Sequence, residues 1–230
     1  MIGFFKRNLR RTEFKNMEKE RKELKEILLV HNKIKPEIER KLAGFAKIGK
    51  GLKKNKVFNE LCFCMLTPQS KAETCWEAVK KIKKEGLISD RIDCKKIEET
   101  LKGIRFHRTK SKRIAEAKKV MKQLIERLKQ KDKARDKREW IVKNINGLGM
   151  KEATHFLRNI GMAEDLAILD RHILRKLYKL RIIEEIPRSI SKNKYLEIEK
   201  KMQEFSKKIK IPVSHLDFVF WYIETGRIFK

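Results

Sequence analysis

Turn-forming residues are scarce in this chain, and their scarcity is the strongest constraint on its fold. Only 10 glycines and 4 prolines occur among 230 residues, which is low against ordinary usage. Folds that are rich in strands need many turns that contain glycine or proline. No segment has a clear strand pattern, and no repeat of about 20–50 residues is visible. The sequence therefore predicts an all-α protein.

Hydrophobic residues at helical spacing place most of the predicted helices. The run 57–66 is apolar on every face, which predicts a central, buried helix that stops at Thr67-Pro68. Two further helices are predicted before and after Pro36, with the proline as the break between them. The remaining predictions are a basic lead-in over 1–18, a helix from a Ser70/Glu73 capping box to about Glu85, a basic loop over 103–111, a long helix from there to about Gln130, and a helix from a Ser214/Asp217 capping box to Gly226.

The chain is strongly basic. It carries 60 Lys and Arg residues against 31 Asp and Glu residues, a formal net charge of +29. Such a charge predicts a polyanionic partner or an anionic membrane surface. No apolar run approaches the roughly 18–20 residues that span a bilayer, and the first residues lack the apolar segment of a secretory signal. Because hydrophobic residues make up 40% of the chain, we expect a folded cytoplasmic protein with no membrane partner.

Cysteine usage gives no sign of a metal centre. The four cysteines, Cys62, Cys64, Cys75 and Cys94, lie in one third of the chain. A structural zinc site needs paired C-x-x-C spacings, which this sequence lacks. The interpretation that fits is a set of buried free thiols in a reducing compartment. We therefore predict no metal site.

A segment with two closely spaced glycines, 145–155, lies between two predicted helices. Gly147 and Gly149 allow a tight hairpin whose backbone amides stay bare. Amides at the start of the next helix attract a phosphate oxygen, and the helix dipole adds to the attraction. In a very basic chain this predicts a grip on the DNA backbone without sequence preference. An ordinary interhelical turn with glycine as a cap is an equally open interpretation.

Lys151 and Asp170 add candidate chemistry beside the hairpin. Lys151 opens one helix and Asp170 caps another, so the chain can run down and back to bring an amine and a carboxylate together. A neutral lysine amine can attack a sugar carbon, and a carboxylate can stabilise the positive charge that develops on the sugar. Spacing alone leaves two other interpretations open, a solvated surface lysine and a plain N-cap aspartate.

Several stretches around the hairpin resemble one superfamily of DNA repair enzymes. Residues 147–153, Gly-Leu-Gly-Met-Lys-Glu-Ala, and 167–172, Ala-Ile-Leu-Asp-Arg-His, resemble the helix-hairpin-helix, Gly-Pro-Asp superfamily of DNA glycosylases. More narrowly, the chain resembles the type 2 8-oxoguanine DNA glycosylase/AP lyases, found mainly in archaea, from about residue 20 to its end. The stretches that carry this narrower resemblance are 66–70, 103–110, 151–161, 168–174 and 225–230.

The resemblance implies a fold and a reaction. The expected fold has two lobes, 19–49 with 163–230 and 50–162, with the DNA groove and the active site between them. Lys151 would attack C1′ of the damaged nucleotide, expel the base and form a Schiff base, after which β-elimination nicks the strand. Asp170 would support this chemistry electrostatically and by moving protons.

The resemblance also implies how DNA and the base are bound. The hairpin would grip a phosphate, often with a monovalent cation on the hairpin carbonyls, and a polar residue would lie near the gap left by the flipped base. A loop histidine is commonly only exposed, and a tryptophan on an apolar helix commonly belongs to the core. The expected base-recognition residues are Lys230, Trp221 and Phe220, and the expected DNA contacts are Gly147, Gly149, Gln69, Arg105 and His107.

Two departures from the superfamily narrow the prediction. No cysteine follows Cys94, so the C-terminal four-cysteine iron–sulfur cluster of many superfamily members is excluded. Asn146 stands where some relatives carry proline, which weakens an endonuclease III assignment.

Together these features predict one enzymatic function and leave two alternatives. We predict a monomeric, bifunctional enzyme near the nucleoid that excises 8-oxoguanine from double-stranded DNA without a resident cofactor. The alternatives are a glycosylase/lyase for another oxidised base and a non-catalytic helix-hairpin-helix protein that binds nucleic acid.

Overall fold

The computed structural model describes residues 2–87, 93–163 and 165–230, with side chains at Glu18 and at the described positions from Glu20 onward. Within these residues the chain forms α-helices joined by turns and has no strand, which confirms the all-α prediction. No helix in this part of the chain is long and apolar enough to cross a membrane. The helices are α1 (Ile2–Gly51), α2 (Lys54–Leu66), α3 (Ala72–Lys84), α4 (Cys94–Thr100), α5 (His107–Lys119), α6 (Met121–Lys129), α7 (Ala134–Asn144), α8 (Met150–Asn159), α9 (Arg171–Lys179), α10 (Lys192–Ile209) and α11 (Val213–Thr225).

The contacts between residues divide the chain into two units. The first unit is Met1–Glu39 with Leu169–Ile228, and the second unit is Arg40–Ile168 with Phe229–Lys230. The expected boundaries after residues 49 and 162 differ from these. The last turns of α1 pack against the end of α8, so they belong to the second unit together with the segment that follows α8.

Helix α1 is continuous where the sequence predicted a lead-in and two helices. It begins at Ile2 and runs past Pro36 to Gly51. A proline inside a helix removes one backbone donor and normally kinks or breaks the helix. Here Ile34 and Ile38, on either side of the proline, are almost fully buried, and each such side chain contributes about 1.5–3 kcal/mol. Packing of α1 therefore outweighs the local cost of the proline.

Neither predicted capping box forms. The residues before α3 and α11 are Lys71 and Pro212, and neither makes a side-chain hydrogen bond to its helix. Ser70 lies one residue before Lys71, and its hydroxyl accepts a hydrogen bond from the ammonium of Lys110 at 3.2 Å. A tertiary contact therefore uses the hydroxyl that the sequence pattern assigned to the helix end.

The basic loop is shorter than predicted, and the long helix after it is two helices. Helix α5 begins at His107, inside the predicted loop, and ends before Val120. At Val120 the backbone leaves helical geometry (φ −93°, ψ 4°), and α6 continues from the next residue. The end of α11 is as predicted, because Gly226 follows it in the left-handed conformation, with a φ of +73°.

Helix α2 is the centre of the second unit, as its apolar sequence predicts. It contacts α3, α5, α6 and α8. Leu61, Phe63 and Leu66 are fully buried, and Glu60 is the buried carboxylate among its apolar residues. The helix therefore carries one charged side chain into the core, close to the residues considered below.

Three of the four thiols are buried, as predicted, and one is not. Cys62, Cys64 and Cys75 are buried, and burial raises the pKa of Cys75 to about 11. Cys94, the first residue of α4, is exposed, which corrects the prediction for that residue. The reason is that α4 is short and turns only Ile97 into the core.

Two glycines fix the end of α8 against α1 within the second unit. A Cβ at Gly49 would lie 2.1 Å from the carbonyl oxygen of Ile160, and one at Gly161 would lie 2.5 Å from Cα of Ala46. Gly161 also has a φ of +68°, in the left-handed region that glycine tolerates best. Because both residues are glycines, the two backbones come into direct contact, and no larger residue fits at either position. This contact anchors the helix whose first turn carries Lys151.

The first unit is built around α11. This helix packs against α9 and α10, and residues 213–220 of it are all buried. The buried ammonium of Lys176 on α9 pairs with the carboxylates of Glu23 (2.5 Å) and Glu26 (3.2 Å) on α1. The ion pairs neutralise the buried charge and tie α9 to α1.

Candidate active site

A tight hairpin joins α7 to α8, as the two glycines predict. The amide of Leu148 donates to the carbonyl of Ile145 at 3.3 Å, which closes the turn. Gly147 has a φ of +90°, and a Cβ there would lie only 2.5 Å from Cδ of Arg113 on α5. The positive φ favours glycine at this position, and the side chain of Arg113 would have to shift to admit a Cβ.

The start of α8 presents backbone amides, one of which already has a partner. Amides in the first turn of a helix have no acceptor within the helix. The carboxylate of Glu152 accepts a hydrogen bond from the amide of Gly149 at 3.2 Å. An anionic group is therefore already bound at the helix N-terminus, where the dipole favours negative charge. A phosphate oxygen would use the amides that follow Gly149 or displace Glu152.

Lys151 lies in this first turn of α8. Its side chain is 23% exposed, and its Nζ lies 3.8 Å from Oε1 of Glu152. The amine is therefore partly desolvated yet reachable, and it follows the hairpin directly. A nucleophile bound to a helix that is anchored at its other end can keep a fixed distance from a phosphate held at the hairpin.

A buried ion pair joins the last residue of the sequence to α2. Nζ of Lys230 donates to Oε1 of Glu60 at 2.6 Å, and the other carboxylate oxygen of Glu60 accepts from Nδ2 of Asn159 on α8 at 3.0 Å. The two paired side chains are only 11% and 5% exposed. Burial lowers the pKa of Lys230, and the carboxylate of Glu60 opposes this shift. A buried charge needs such a partner.

Aromatic rings surround the same ammonium. Nζ of Lys230 lies 3.1 Å from the ring centroid of Trp76 and 5.2 Å from that of Phe63. The Phe229 ring lies 6.2 Å from Phe63, centroid to centroid. Ring faces attract cations, most strongly when both are desolvated. A planar ring system that entered this region would therefore meet aromatic surface and a fixed positive charge.

The charges of Lys151 and Lys230 both influence the pKa of the same two buried side chains, Cys64 and His155. Burial raises the pKa of the Cys64 thiol, and among the charges that act on this thiol are those of Lys151, Lys230 and Arg158. Burial also lowers the pKa of His155 well below its usual value, and Arg158, Lys151 and Lys230 lower it further. The predicted nucleophile and the predicted base-recognition residue therefore both lie in the second unit, and the charges of both disfavour protonation of His155.

His155 makes the stability of the fold depend on pH. Its ring is buried against Phe63, and its folded pKa lies below the unfolded value of about 6.5. Below about pH 6.5 the histidine is therefore protonated in the unfolded chain but not in the folded chain. As a result, the free energy of unfolding falls with decreasing pH, by up to about 1.4 kcal/mol per pH unit.

Denaturant titrations of wild type and His155→Phe between pH 7.5 and 5, a range of about two units around the histidine pKa, check this expectation. The ring of phenylalanine has a similar shape and no titrating group, so the variant should lose stability less steeply with acid. Equal slopes for the two proteins would contradict the proposed role of His155.

Three predicted site residues lie in the first unit. Asp170 caps α9, with Oδ1 accepting from the amide of Ile173 at 2.9 Å. Trp221 is partly exposed, and its ring meets that of His172 edge to face at 5.1 Å. Phe220 is fully buried in the core of this unit. Its ring therefore has no surface to offer a base, which corrects the expectation for Phe220.

The remaining predicted DNA contacts lie on turns of the second unit. Gln69 is exposed on the turn after α2. Arg105 is exposed, with its guanidinium 4.9 Å from the ring centroid of Phe106. His107 is half-buried as the first residue of α5. Phe106, between Arg105 and His107, is 52% exposed.

Sequence reasoning missed several residues of this region. Glu60 lies in the apolar run that predicts the central helix, and a carboxylate in such a run was the available signal. Trp76 lies on an apolar stripe that is typical of core residues, and Phe63 lies within the apolar run of α2, so neither carries a sequence signal of a binding role. Phe106 is an aromatic residue in a basic loop, a pattern that indicates a surface contact.

Among the described residues, no group of three or more His, Cys, Asp and Glu side chains is placed to bind a metal ion. The hairpin also offers backbone carbonyl oxygens, such as that of Ile145. Carbonyl oxygens suit hard cations rather than transition metals.

An all-helical chain with a Gly-x-Gly hairpin that leads into a lysine-bearing helix is a helix-hairpin-helix protein. A family model described as 8-oxoguanine DNA glycosylase matches residues 38–211. The chain is 41% identical over 210 residues to the 8-oxoguanine DNA glycosylase/AP lyase of Fusobacterium nucleatum, which covers 89% of this chain and 96% of that protein.

Solved structures give the same result. The crystal structure of the 8-oxoguanine DNA glycosylase of Thermotoga maritima has a TM-score of 0.84 and 33% identity, covering 92% of this chain and 100% of that one. Methanocaldococcus jannaschii 8-oxoguanine glycosylase/lyase, in complex with a 15mer DNA containing 8-oxoguanine, has a TM-score of 0.82 and 36% identity, covering 90% and 99%. The chain therefore belongs to the 8-oxoguanine DNA glycosylase family, which confirms the resemblance inferred from its motifs.

Proposed function

We propose that this protein excises 8-oxoguanine from double-stranded DNA and then nicks the strand at the resulting site. The observation that carries the proposal is the position of Lys151, a partly buried amine in the first turn of α8, directly after the glycine hairpin. Membership of the 8-oxoguanine DNA glycosylase family supports the choice of lesion.

The chemistry begins with the neutral amine of Lys151. Its lone pair forms a bond to C1′ of the damaged nucleotide while the bond from C1′ to the base breaks, and the base leaves with that electron pair and takes up a proton. The bond from C1′ to the ring oxygen then opens, which gives a protonated Schiff base and a hydroxyl group. The side chain of Lys151 is 23% exposed, so its amine stays within reach of a bound sugar.

Strand scission follows from the Schiff base. Removal of a proton from C2′ leaves an electron pair that forms a double bond to C3′, and the bond from C3′ to the phosphate oxygen breaks. The positively charged imine takes up electron density during this step, so the lysine serves as an electron sink. Water finally releases the sugar fragment from Lys151.

We assign Asp170 to the support of positive charge on the sugar. One of its oxygens accepts from the amide of Ile173, which fixes the orientation of the carboxylate at the N-terminus of α9. A carboxylate that is oriented in advance stabilises a cation without reorganisation at the moment of reaction.

Base recognition is proposed for the region around Lys230. The ammonium fixed by Glu60 and the ring of Trp76 offer a positive charge and an aromatic face in a buried setting. The guanine ring system has acceptor edges and a flat apolar face, so it matches both features. Trp221 stays a candidate in the first unit, since it is partly exposed.

DNA binding is proposed for the hairpin and the two exposed turns. Amides after Gly149 would bind a phosphate, while Gln69, Arg105 and His107 would contact the duplex near the flipped nucleotide. A monovalent cation on the hairpin carbonyls stays a proposal, and no step above involves it. The net charge of +29 would supply attraction that weakens with salt. We propose that an enzyme with such a substrate works at the nucleoid in the cytoplasm.

A duplex with 8-oxoguanine opposite cytosine tests the proposed function. Incubation with the wild-type protein should release the base and nick the strand, and borohydride should trap a covalent complex. Duplexes with an oxidised pyrimidine, and with undamaged guanine, serve as competitors in the same assay. Preference for the pyrimidine lesion would identify a different glycosylase, and salt-sensitive binding without any cleavage would identify a binding protein.

A further inference from the structure

Lys110, whose ammonium contacts Ser70, is a buried lysine that has no role in the function proposed above. It lies on α5 and is only 4% exposed. Its Nζ donates to the carbonyls of Leu66 (2.7 Å) and Pro68 (2.9 Å) and to the hydroxyl of Ser70 (3.2 Å). An ammonium has three donors, so every one of them has an acceptor.

All three acceptors belong to one short segment, the end of α2 and the turn after it. The carbonyl of Leu66 also accepts from the thiol of Cys75 at 3.2 Å. Gln69 lies between the two other acceptors, is exposed, and has a φ of +56°. A residue other than glycine adopts this left-handed conformation only when its surroundings enforce it, and such residues concentrate at functional sites.

The other end of the connection is the second exposed turn. The backbone amide of Lys110 donates to the carbonyl of Phe106 at 2.9 Å in the first turn of α5. Phe106 is itself exposed and left-handed, with a φ of +60°. One residue therefore connects, through its backbone and its side chain, two exposed residues that are held in a strained conformation.

Lys110 differs from the other buried lysines in its partners. Lys176 pairs with Glu23 and Glu26, and Lys137 pairs with Asp132. Within the part of the chain that the structure describes, no carboxylate forms an ion pair with Lys110. Its charge is compensated by carbonyl dipoles at the C-terminal end of α2, where the helix dipole favours a cation. The ammonium of Lys110 is thus bound to the backbone and hydroxyl of this one segment rather than to a distant carboxylate.

We propose that Lys110 is a positioning residue that holds the Gln69 turn and the Phe106 turn in one fixed arrangement for contact with the DNA around the flipped base. This inference rests on the proposed function, since it concerns the same DNA contact. Loss of the ammonium would leave the active-site lysine in place but release the Gln69 turn. Steps that need an opened duplex would slow, and steps on an exposed abasic sugar would not.

Lys110→Met tests this role, with Lys112→Met as the matched control. Lys112 lies on the same helix and is exposed, so its replacement removes the same charge without removing the contacts. Single-turnover excision from the 8-oxoguanine duplex should fall about tenfold or more in Lys110→Met, on the scale of lost charge-assisted hydrogen bonds. Borohydride trapping on a single-stranded abasic oligonucleotide should stay within about twofold of wild type.

A second readout reports the DNA contact itself. The fluorescence of a 2-aminopurine beside the lesion rises when the neighbouring base is unstacked. The measurement is made with the Lys151→Gln protein, which does not cleave the duplex. Adding Lys110→Met should reduce this signal, and adding Gln69→Ala on top should change it little, because both act on one turn. Three results would overturn the inference. The first is an additive loss of the 2-aminopurine signal when the Lys110 and Gln69 changes are combined, and the second is equal excision by the Lys110 and Lys112 variants. The third is a loss of borohydride trapping as large as the loss of excision.

The result is separable from the proposed function and from misfolding. Inactive wild-type protein would reject the proposed function, whereas active wild type with unaffected Lys110→Met would reject only the inference. Circular dichroism checks folding. If Lys110→Met does not fold, Lys110→Arg replaces it, because a planar guanidinium cannot aim at all three acceptors. A wild-type 2-aminopurine signal from that variant would also overturn the inference.

Discussion

Replacing Lys151 with glutamine should abolish both base release and covalent trapping on the 8-oxoguanine duplex. Glutamine keeps the length of the side chain but has no basic lone pair, so neither attack on C1′ nor a Schiff base is possible. The expected loss in single-turnover rate is roughly 10³-fold or more. Gel analysis of the nicked strand, with and without borohydride, measures both steps.

The matched control for this variant is Lys143→Gln. Lys143 is exposed on α7, shortly before the hairpin, so its replacement removes the same charge from the same neighbourhood. Duplex binding by the two variants should be similar, because the attraction to phosphates depends on total charge. A covalent complex that persisted in Lys151→Gln would show that another amine is the nucleophile.

Deleting Lys230 should separate base recognition from strand scission. The deletion removes the ammonium that lies over Trp76, and excision of 8-oxoguanine should fall roughly 10–100-fold because the base loses a fixed polar partner. Nicking of a preformed abasic site should continue, since no base is bound in that reaction. Parallel assays on the two substrates measure the ratio of the excision rate to the nicking rate for each protein.

Stability must be controlled in this experiment, because the deletion leaves Glu60 buried without its partner. An unpaired buried charge costs about 3–5 kcal/mol. Glu60→Gln in the same chain removes that charge, so the double variant should regain stability without regaining excision. Glu224→Gln, which neutralises an exposed carboxylate on α11, is the matched control. If excision returned with stability, the region around Lys230 would have no direct role in recognition.

The helical class and the hairpin could be predicted because their signals are local. Glycine spacing determines where the chain can turn back, and Gly147 has the positive φ that such a turn needs. The apolar run of α2 similarly predicts a central helix from composition alone. The continuity of α1 through Pro36 could not be predicted, because it depends on the burial of Ile34 and Ile38 by other parts of the chain.

The residues of the candidate site likewise fall into two groups, those that a local pattern indicates and those that depend on distant contacts. Lys151 and Asp170 lie beside local motifs, so the sequence alone could nominate both as candidates. Glu60 and Trp76 acquire their roles only through contact with Lys230, at the far end of the chain. No periodicity encodes a contact of that range. The burial of Phe220 also depends on tertiary packing, and therefore the choice between Phe220 and Trp221 was open from sequence.

The membership of Phe229 and Lys230 in the second unit bears on how the protein is made. The ribosome adds these two residues after every other residue of both units, and Glu60 emerges long before them. During synthesis the carboxylate of Glu60 therefore lacks its ammonium partner until these last residues are added. The final loop spans most of the chain, and such long-range contacts form late in folding. A nascent chain would thus form the helix that carries Lys151 before the proposed base-recognition residue, Lys230, reaches Glu60.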